Sequence, residues 1–533
     1  MAPEPLTAGT AEDTFARVVA AMRDPSFYSP RAEKVEVRET HVSVVFLAGD
    51  RAYKLKKPVR MPFLDYSTLE RRRRFCDEEV RLNSRFAPDV YLGLRAIAER
   101  RGKLVLANAE DPAAVECAVV MRRLDEDATL ERLVERGAAD ARLAERVGAA
   151  LADMHMRAER APAGYWSCDY VAERLHENFE TTEPDVGVLV DRLTHDSVRR
   201  FSDAFVRGHR DLLDRRAAAG MVRDAHGDLR AEHIVVEPQG LTIVDCIEFD
   251  DRLRRIDVAA DLAFLTMDLE RLGAPGLAAA VERAYAARTG DQDLPTLLPF
   301  YACYMAWVRA KVTALRIRQL QPEDPARAPL EERARGLFRL AQRLAWRARL
   351  PLVLVICGVG GSGKSTLAAE LRQRSGFPHL SSDGVRKDLA GVLLEDRAPP
   401  QVYDAEHTDR TYAELAERAA AAVGSHEGAI VDATFSKRAH RAALTERLED
   451  SGARILWIEC SAPREVLRRR GTARERAAEH GSDATWPVIA AQLEAREPID
   501  EIPAASLHAL RTDRPLDPCL DDLDRFVSPA LDG

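Results

Sequence analysis

Residues 352–366 read LVLVICGVGGSGKST, and this stretch decides the fold of the C-terminal part of the chain. LVLVIC is a short, continuous apolar run with β-branched residues. It predicts a buried parallel strand opening an α/β domain. Gly358-Val-Gly-Gly-Ser-Gly363-Lys364-Ser365 fits GxxxxGK[ST], and the pattern TLAAELRQR that follows predicts a helix. Strand, glycine-rich loop and helix in this order form the context of a phosphate-binding loop. Gly358, Gly360, Gly361 and Gly363 let backbone N–H groups curl around phosphate oxygens without Cβ clashes. The helix N-terminus, with the Ser362 and Thr366 backbone beside it, adds partial positive charge. Lys364 is expected on the outer phosphates and Ser365 on Mg²⁺.

Outward from this loop, strand–helix alternation continues to about residue 513. HLSS (379–382), GAIVDATF (428–435) and ARILWIECS (453–461) supply further strands. Asp383 follows the first of these and can accept a proton from an attacking hydroxyl. Arg386, one helical turn on, can hold an anionic substrate group. Asp432 ends the second strand, where it can ligate or orient the Mg²⁺ shell. In REVLRRRGTARER (464–476), Arg470 and Arg474 are candidates for neutralising transferring charge. These motifs resemble the small P-loop kinases: gluconate kinase-like enzymes, zeta-toxin-like kinases and the kinase domain of polynucleotide kinases. The resemblance covers about 351–513 and implies ATP and Mg²⁺ as ligands and a hydroxyl as acceptor.

Upstream lies a second constellation, His226-Gly-Asp228-Leu-Arg-Ala-Glu-His233 with Asp245 in IVDCIEFD. This resembles the order that protein-kinase-like enzymes use: an Asp in a catalytic loop, an Asn five positions on, then a metal-binding Asp after the next strand. Asp228 would orient the substrate hydroxyl, while His233 and Asp245 would hold Mg²⁺. HGDL with IVDCIEF resembles the aminoglycoside phosphotransferase-like family, which has the protein-kinase-like fold. That resemblance covers about 35–320. It implies that Lys54 pairs with phosphates, that Glu79 (or Glu78) pairs with Lys54, and that Met121 opens an interlobe hinge with adenine contacts. Asp257 and Asp261 match structural acidic positions. Two positions depart from the family pattern. His233 stands where Asn is usual, and no GxGxxG precedes Lys54, only Glu39-Thr40-His41. Lys56 and Lys57 are expected as solvated strand-end charges. Glu248 and Asp250 can be structural or functional.

The chain therefore reads as multidomain: an α+β two-lobed protein-kinase-like domain, then an α/β P-loop domain with a parallel sheet. The expected boundaries are an N-terminal tail with helix (1–34), a sheet-rich lobe (35–125) and a helical lobe (126–320). A linker with a connecting helix (321–350), the P-loop domain (351–513) and a C-terminal tail (514–533) follow. In the connecting helix Leu330, Ala334, Leu337, Ala341 and Leu344 form one packing stripe.

Composition bounds the partners. The 533 residues are 46% hydrophobic and 31% charged, with a net charge of −9. That balance argues against a surface built to coat nucleic acid. The Arg-rich 464–476 segment keeps a nucleic-acid acceptor open for the C-terminal half alone. No run of about 18 apolar residues is present, so no membrane span is expected. The eight cysteines form no CxxC pair, and with no secretory pattern at the N-terminus this predicts a reducing, cytoplasmic setting. Three functions fit. The first is a bifunctional ATP-dependent kinase of a small sugar- or aminosugar-like hydroxyl compound. The second is a nucleotide sensor with a degenerate N-terminal kinase domain, and the third a polynucleotide-type 5′-hydroxyl kinase in the C-terminal half. Oligomeric state is left open.

Overall fold

The computed structural model describes residues 11–40, 42–61, 64–393, 399–425, 427–477 and 485–528. They form two compact units. One comprises the chain up to Tyr170 with Asp211–Tyr301, and the other Val171–Arg210 with the chain from Ala302 onward. The stretch read as one helical lobe, 126–320, is thus divided, and 171–210 and 302–320 group with the phosphate-loop unit.

The first unit holds a six-stranded antiparallel sheet. Its order is Val35–Glu39, Ser43–Ala48, Arg51–Lys56, Ala114–Arg122, Tyr91–Arg100 and Lys103–Asn108. Gly49, at φ 62°, makes the tight turn between the second and third strands. Alternation splits the side chains between two faces. Val44, Phe46, Tyr53, Leu55, Ala118 and Val120 pack under the helix Ala11–Met22. Cys117 and Val119 face Cys76 on the helix Leu69–Asn83. That helix starts at Thr68, whose side chain accepts the Arg71 N–H. The unit's helices include Ala141–Arg157, Val258–Arg271 and Pro275–Thr289. Gly148 sits where the first and third of these meet: a Cβ there would lie 2.3 Å from the Val281 carbonyl oxygen.

The second unit contains a five-stranded, all-parallel sheet. Its order is His379–Ser381, Ala429–Asp432, Leu352–Cys357, Arg454–Ser461 and Leu507–Arg511. The central strand is buried on both faces, as its unbroken apolar sequence requires. Leu352, Leu354 and Ile356 pack with Leu367 and Leu371 of the helix Lys364–Ser375. Val353, Val355 and Cys357 pack with Leu415, Ala419 and Leu444 on the other face. The stripe of the helix Arg327–Arg347 is buried at Ala334, Leu337, Ala341 and Leu344, and Trp307 packs edge-on against Phe338 beside it.

The last residues were expected to be a peripheral tail. Leu516–Val527 is instead an amphipathic helix that completes the first face of the parallel sheet with Cys519, Leu520, Leu523 and Val527. Helical spacing of the apolar residues outweighs the Asp content: Asp517 is exposed, and the buried Asp524 accepts from the Ser197 hydroxyl and Arg200. All eight cysteines are buried and free. Among the described residues no helix is long and apolar enough to cross a membrane.

Two substitutions test this packing. Leu523→Ala should lower unfolding stability of the phosphate-loop unit by about 2–5 kcal/mol in urea titrations. A change under about 0.5 kcal/mol would mean an unattached tail. Gly148→Ala should cost about 1–3 kcal/mol in the first unit, because its methyl has no room.

Candidate active sites

In the first unit the site is built around one carboxylate. Strand alternation puts Lys54 and Lys56 on the same face, toward the helix Leu69–Asn83. Glu79, fully buried on that helix, meets both: its oxygens lie 2.8 Å from Lys54 Nζ and 2.6 Å from Lys56 Nζ. Lys54 Nζ is also 2.6 Å from Asp245 Oδ1. Lys56 pairs with Glu248 as well, and the Tyr66 hydroxyl donates to Glu248 at 2.6 Å. Lys56 is thus a buried charge, not the solvated strand-end charge expected. Glu248 is its partner, while Lys57 pairs with Glu39. Met121 pairs with Ala52 across the sheet, two residues beyond Val119, the partner of Lys54, and so shares the Lys54 face.

Opposing effects set the charges. Burial works against both ammonium groups, but Asp245 and Glu79 around Lys54, and Glu248 and Glu79 around Lys56, outweigh it. Both pKa values stand well above the usual lysine value. Burial likewise opposes ionisation of Glu79, whereas the Asp245 side chain is half-exposed. The nearby lysines prevail at Glu79, and chiefly Lys54 at Asp245, so both carboxyls stay below their ordinary range. Asp245 has a left-handed backbone, φ 67°, which Asp tolerates better than most residues. Its N–H donates to the Tyr91 hydroxyl, and the next N–H, of Cys246, donates to Asn83 Oδ1 at 2.8 Å. The Asp245 turn is therefore fastened to the helix that carries Glu79.

The loop with Asp228 is pinned from below. Asp261, fully buried, accepts the N–H groups of His226 and Gly227 at 3.0 and 2.9 Å. His155 Nε2 lies 3.0 Å from the same carboxylate. Gly227 needs to be glycine: at φ 85° a Cβ would stand 2.6 Å from the Leu253 carbonyl oxygen. Asp257 is buried in a two-pronged pair with Arg216. Asp228 itself accepts from Arg230 Nη2 at 2.8 Å. His233 Nδ1 lies 2.7 Å from the Asp228 carbonyl oxygen, and its Nε2 lies 3.1 Å from Arg230 Nη2 and 3.7 Å from Asp245 Oδ2. Burial, then the Arg230 charge, lowers the His233 pKa to about 4, so the ring is neutral near pH 7.

In the second unit the phosphate loop joins the central strand to the helix Lys364–Ser375. Gly358, Gly361 and Gly363 have φ of 134°, 75° and 89°. A Cβ on Gly358 would lie 2.3 Å from the Cys460 carbonyl oxygen. Lys364 Nζ donates to the Val359 carbonyl at 3.1 Å. The Ser362 hydroxyl is fully buried without a hydrogen-bond partner among the described residues. Ser365 and Thr366 are exposed in the first helical turn. Arg470 donates to the Gly361 carbonyl at 3.0 Å and to the Thr512 carbonyl at 2.7 Å, so it braces the loop. Arg474 lies on the same helix, Arg464–Ala477, but its side chain falls outside the described residues.

Strand pairing brings the carboxylates to the same sheet edge. Ser381 is in register with Asp432, and Asp432 with Ile356 just before the loop. Asp383 stands two residues past its strand, in the first turn of the helix Ser382–Leu389. Asp432 is buried, with His379 Nε2 at 3.4 Å. The Arg386 guanidinium lies 4.6 Å from the Tyr403 ring centre, with Nη1 3.5 Å from the Val402 carbonyl oxygen. One participant had no motif to announce it. Gln492, on the helix Trp486–Ala495, accepts the Gly360 N–H at 2.7 Å. Ile489 of the same helix packs with Val359 and Leu467.

The residues can be tested against the ligands that such motifs imply. The positive-φ cradle and the orphaned Ser362 hydroxyl fit phosphate oxygens. Mg²⁺ is usually held by one or two carboxylates plus phosphates rather than by an all-protein cage. Asp245, kept ionised, fits that role in the first unit. Ser365 and Asp432 fit it in the second. His233 does not fit: Nδ1 faces a carbonyl, which can only accept, so in the neutral ring Nε2 carries the lone pair, and Arg230 already donates to it.

Residues 353–499 match the family model described as an AAA domain, on the stretch where the P-loop resemblance was read. The crystal structure of a gluconokinase from Sinorhizobium meliloti 1021 is 23% identical, with a TM-score of 0.25, covering 34% of this chain and 93% of that one. That of a choline/ethanolamine kinase family protein from Mesorhizobium loti is 14% identical, with a TM-score of 0.38, covering 61% and 94%. An uncharacterized protein of Mycobacterium tuberculosis (strain H37Rv) is 36% identical over 474 residues, 87% of this chain and 90% of its own length. A protein of Mycobacterium bovis gives the same figures. The chain belongs to the family of these mycobacterial proteins.

Proposed function

We propose that the protein is an ATP-dependent phosphotransferase with two phosphoryl-transfer sites, one in each unit. Each passes the γ-phosphate of ATP to a hydroxyl of a small polar compound, sugar- or aminosugar-like in the first instance. The observation that carries this reading is the Lys54 ammonium, shared between Glu79 and Asp245 in the unit that also pins the Asp228 loop. A lysine fixed by a buried carboxylate is aimed, and an aimed ammonium suits phosphate oxygens.

In the first unit Asp228 takes the hydrogen of the acceptor hydroxyl, and Lys54 holds the phosphates in line. In the second, Lys364 leaves the Val359 carbonyl for the outer phosphates, Asp383 takes the acceptor proton, and Arg386 binds an anionic part of the acceptor. Bound Mg²⁺ supplies charge neutralisation on the phosphates. Asp245 in the first site, and Ser365 with Asp432 in the second, are the residues that would hold it. The net charge of −9 supports a small acceptor over a polyanion.

The test is ADP release across a panel of sugars, aminosugars and other polar alcohols. Asp228→Asn should lower turnover at least about 100-fold for acceptors of the first site. Lys364→Ala should do so for acceptors of the second, by about the same factor. The double variant should be inactive on both. If no acceptor raises ADP formation above background, the small-molecule reading fails. Tight ATP binding without turnover would favour the sensor instead.

A further inference from the structure

Position 233 is tied to a guanidinium. The tautomer follows from its partners: the Asp228 carbonyl oxygen 2.7 Å from Nδ1 requires a hydrogen there, which leaves Nε2 as the acceptor. Arg230 Nη2 stands 3.1 Å from that nitrogen. The lone pair through which His233 could ligate a metal therefore points at a guanidinium. At about 2.1 Å from one octahedral Mg²⁺, adjacent ligands lie about 3 Å apart and opposite ones about 4.2 Å, and the 3.7 Å between Nε2 and Asp245 Oδ2 matches neither. Arg230 is held on its other edges by Asp228 and Glu232, and its side chain is 12% exposed. It is a permanent cation in a built seat, between the residue that would orient the hydroxyl and the residue that would hold Mg²⁺.

We propose that Arg230 is a catalytic residue of the first site: docked on His233, its guanidinium supplies the positive charge of a second divalent cation, and the site works with a single Mg²⁺, at Asp245. His233 is a positioning residue that aims this guanidinium. The proposal rests on reading the 228–245 cluster as a nucleotide site. A guanidinium offers a planar fork of donors suited to phosphoryl oxygens. It also keeps its charge at every pH at which the protein folds.

The experiment counts metal ions. The full-length chain carrying Lys364→Ala, which removes the phosphate-loop lysine, is titrated with Mn²⁺ and a non-hydrolysable ATP analogue. Free Mn²⁺ is read by electron paramagnetic resonance and bound nucleotide separately by equilibrium dialysis. One Mn²⁺ per bound analogue is expected while Arg230 is present, and two in Arg230→Ala. His233→Asn should show the same gain, so misfolding of one variant leaves the test intact. Arg230→Lys, which keeps the charge, should stay at one. Two ions per analogue with Arg230 and His233 intact, or no gain in either variant that folds, would overturn the proposal. Absence of bound analogue would overturn the nucleotide-site reading itself, an outcome that the separate nucleotide count distinguishes.

Discussion

Glu79 holds two ammonium groups at once from inside the protein, and the first unit is organised by that contact. Through Lys54 it reaches Asp245, and through Lys56 it reaches Glu248. One carboxylate thus ties together a strand, a helix and the segment after the hairpin Ile234–Glu237 and Gly240–Ile243. Burying so many charges is costly, and apolar residues of the same volume would stabilise a fold at least as well. What the charges give is position. The cluster has two positive and three negative members, so it retains a net negative charge of one, and the surplus lies at its outer end, where Asp245 is.

In the proposed function the two units would bind phosphate by different means. The first would use side-chain charges on an antiparallel sheet, without a glycine-rich loop. The second would use backbone N–H groups shaped by positive-φ glycines, with Lys364 adding a full charge. In the second the neighbouring carbonyl of Cys460 leaves no room for a Cβ on Gly358, so sterics as well as chemistry fix the glycine there.

Much of this was legible in the residues. The apolar run 352–357 and the GxxxxGK[ST] pattern located the central strand and the loop, because both signals are local. The order Lys54, Glu79, Asp228, Asp245 was legible through resemblance, and the structure brings Lys54, Glu79 and Asp245 into direct contact. Lys56 was misread although its signal was present: a two-residue repeat puts it on the face of Lys54, and a lysine there meets Glu79 instead of water. The C-terminal helix was hidden by its aspartates, although Leu516, Cys519, Leu520, Leu523 and Val527 repeat at helical spacing. Gln492 and Thr512 had no local signal. Each reaches the phosphate loop from more than a hundred residues away, and only the tertiary fold defines such a pair. Arg230 lay inside a recognised motif, yet its role depends on which nitrogen of His233 carries hydrogen, a matter of three-dimensional partners.

The Gln492 contact gives the phosphate loop a threshold. An amide oxygen on the Gly360 N–H is a neutral rival of a phosphoryl oxygen for the same donor. An incoming ligand trades one hydrogen bond for another at that point and gains only the difference between them. Hydrogen bonds to an ionised acceptor are about twice as strong as neutral ones, so a charged oxygen wins the exchange and water or a sugar hydroxyl does not. A loop closed in this way would discriminate by the charge of what enters it, in addition to its shape.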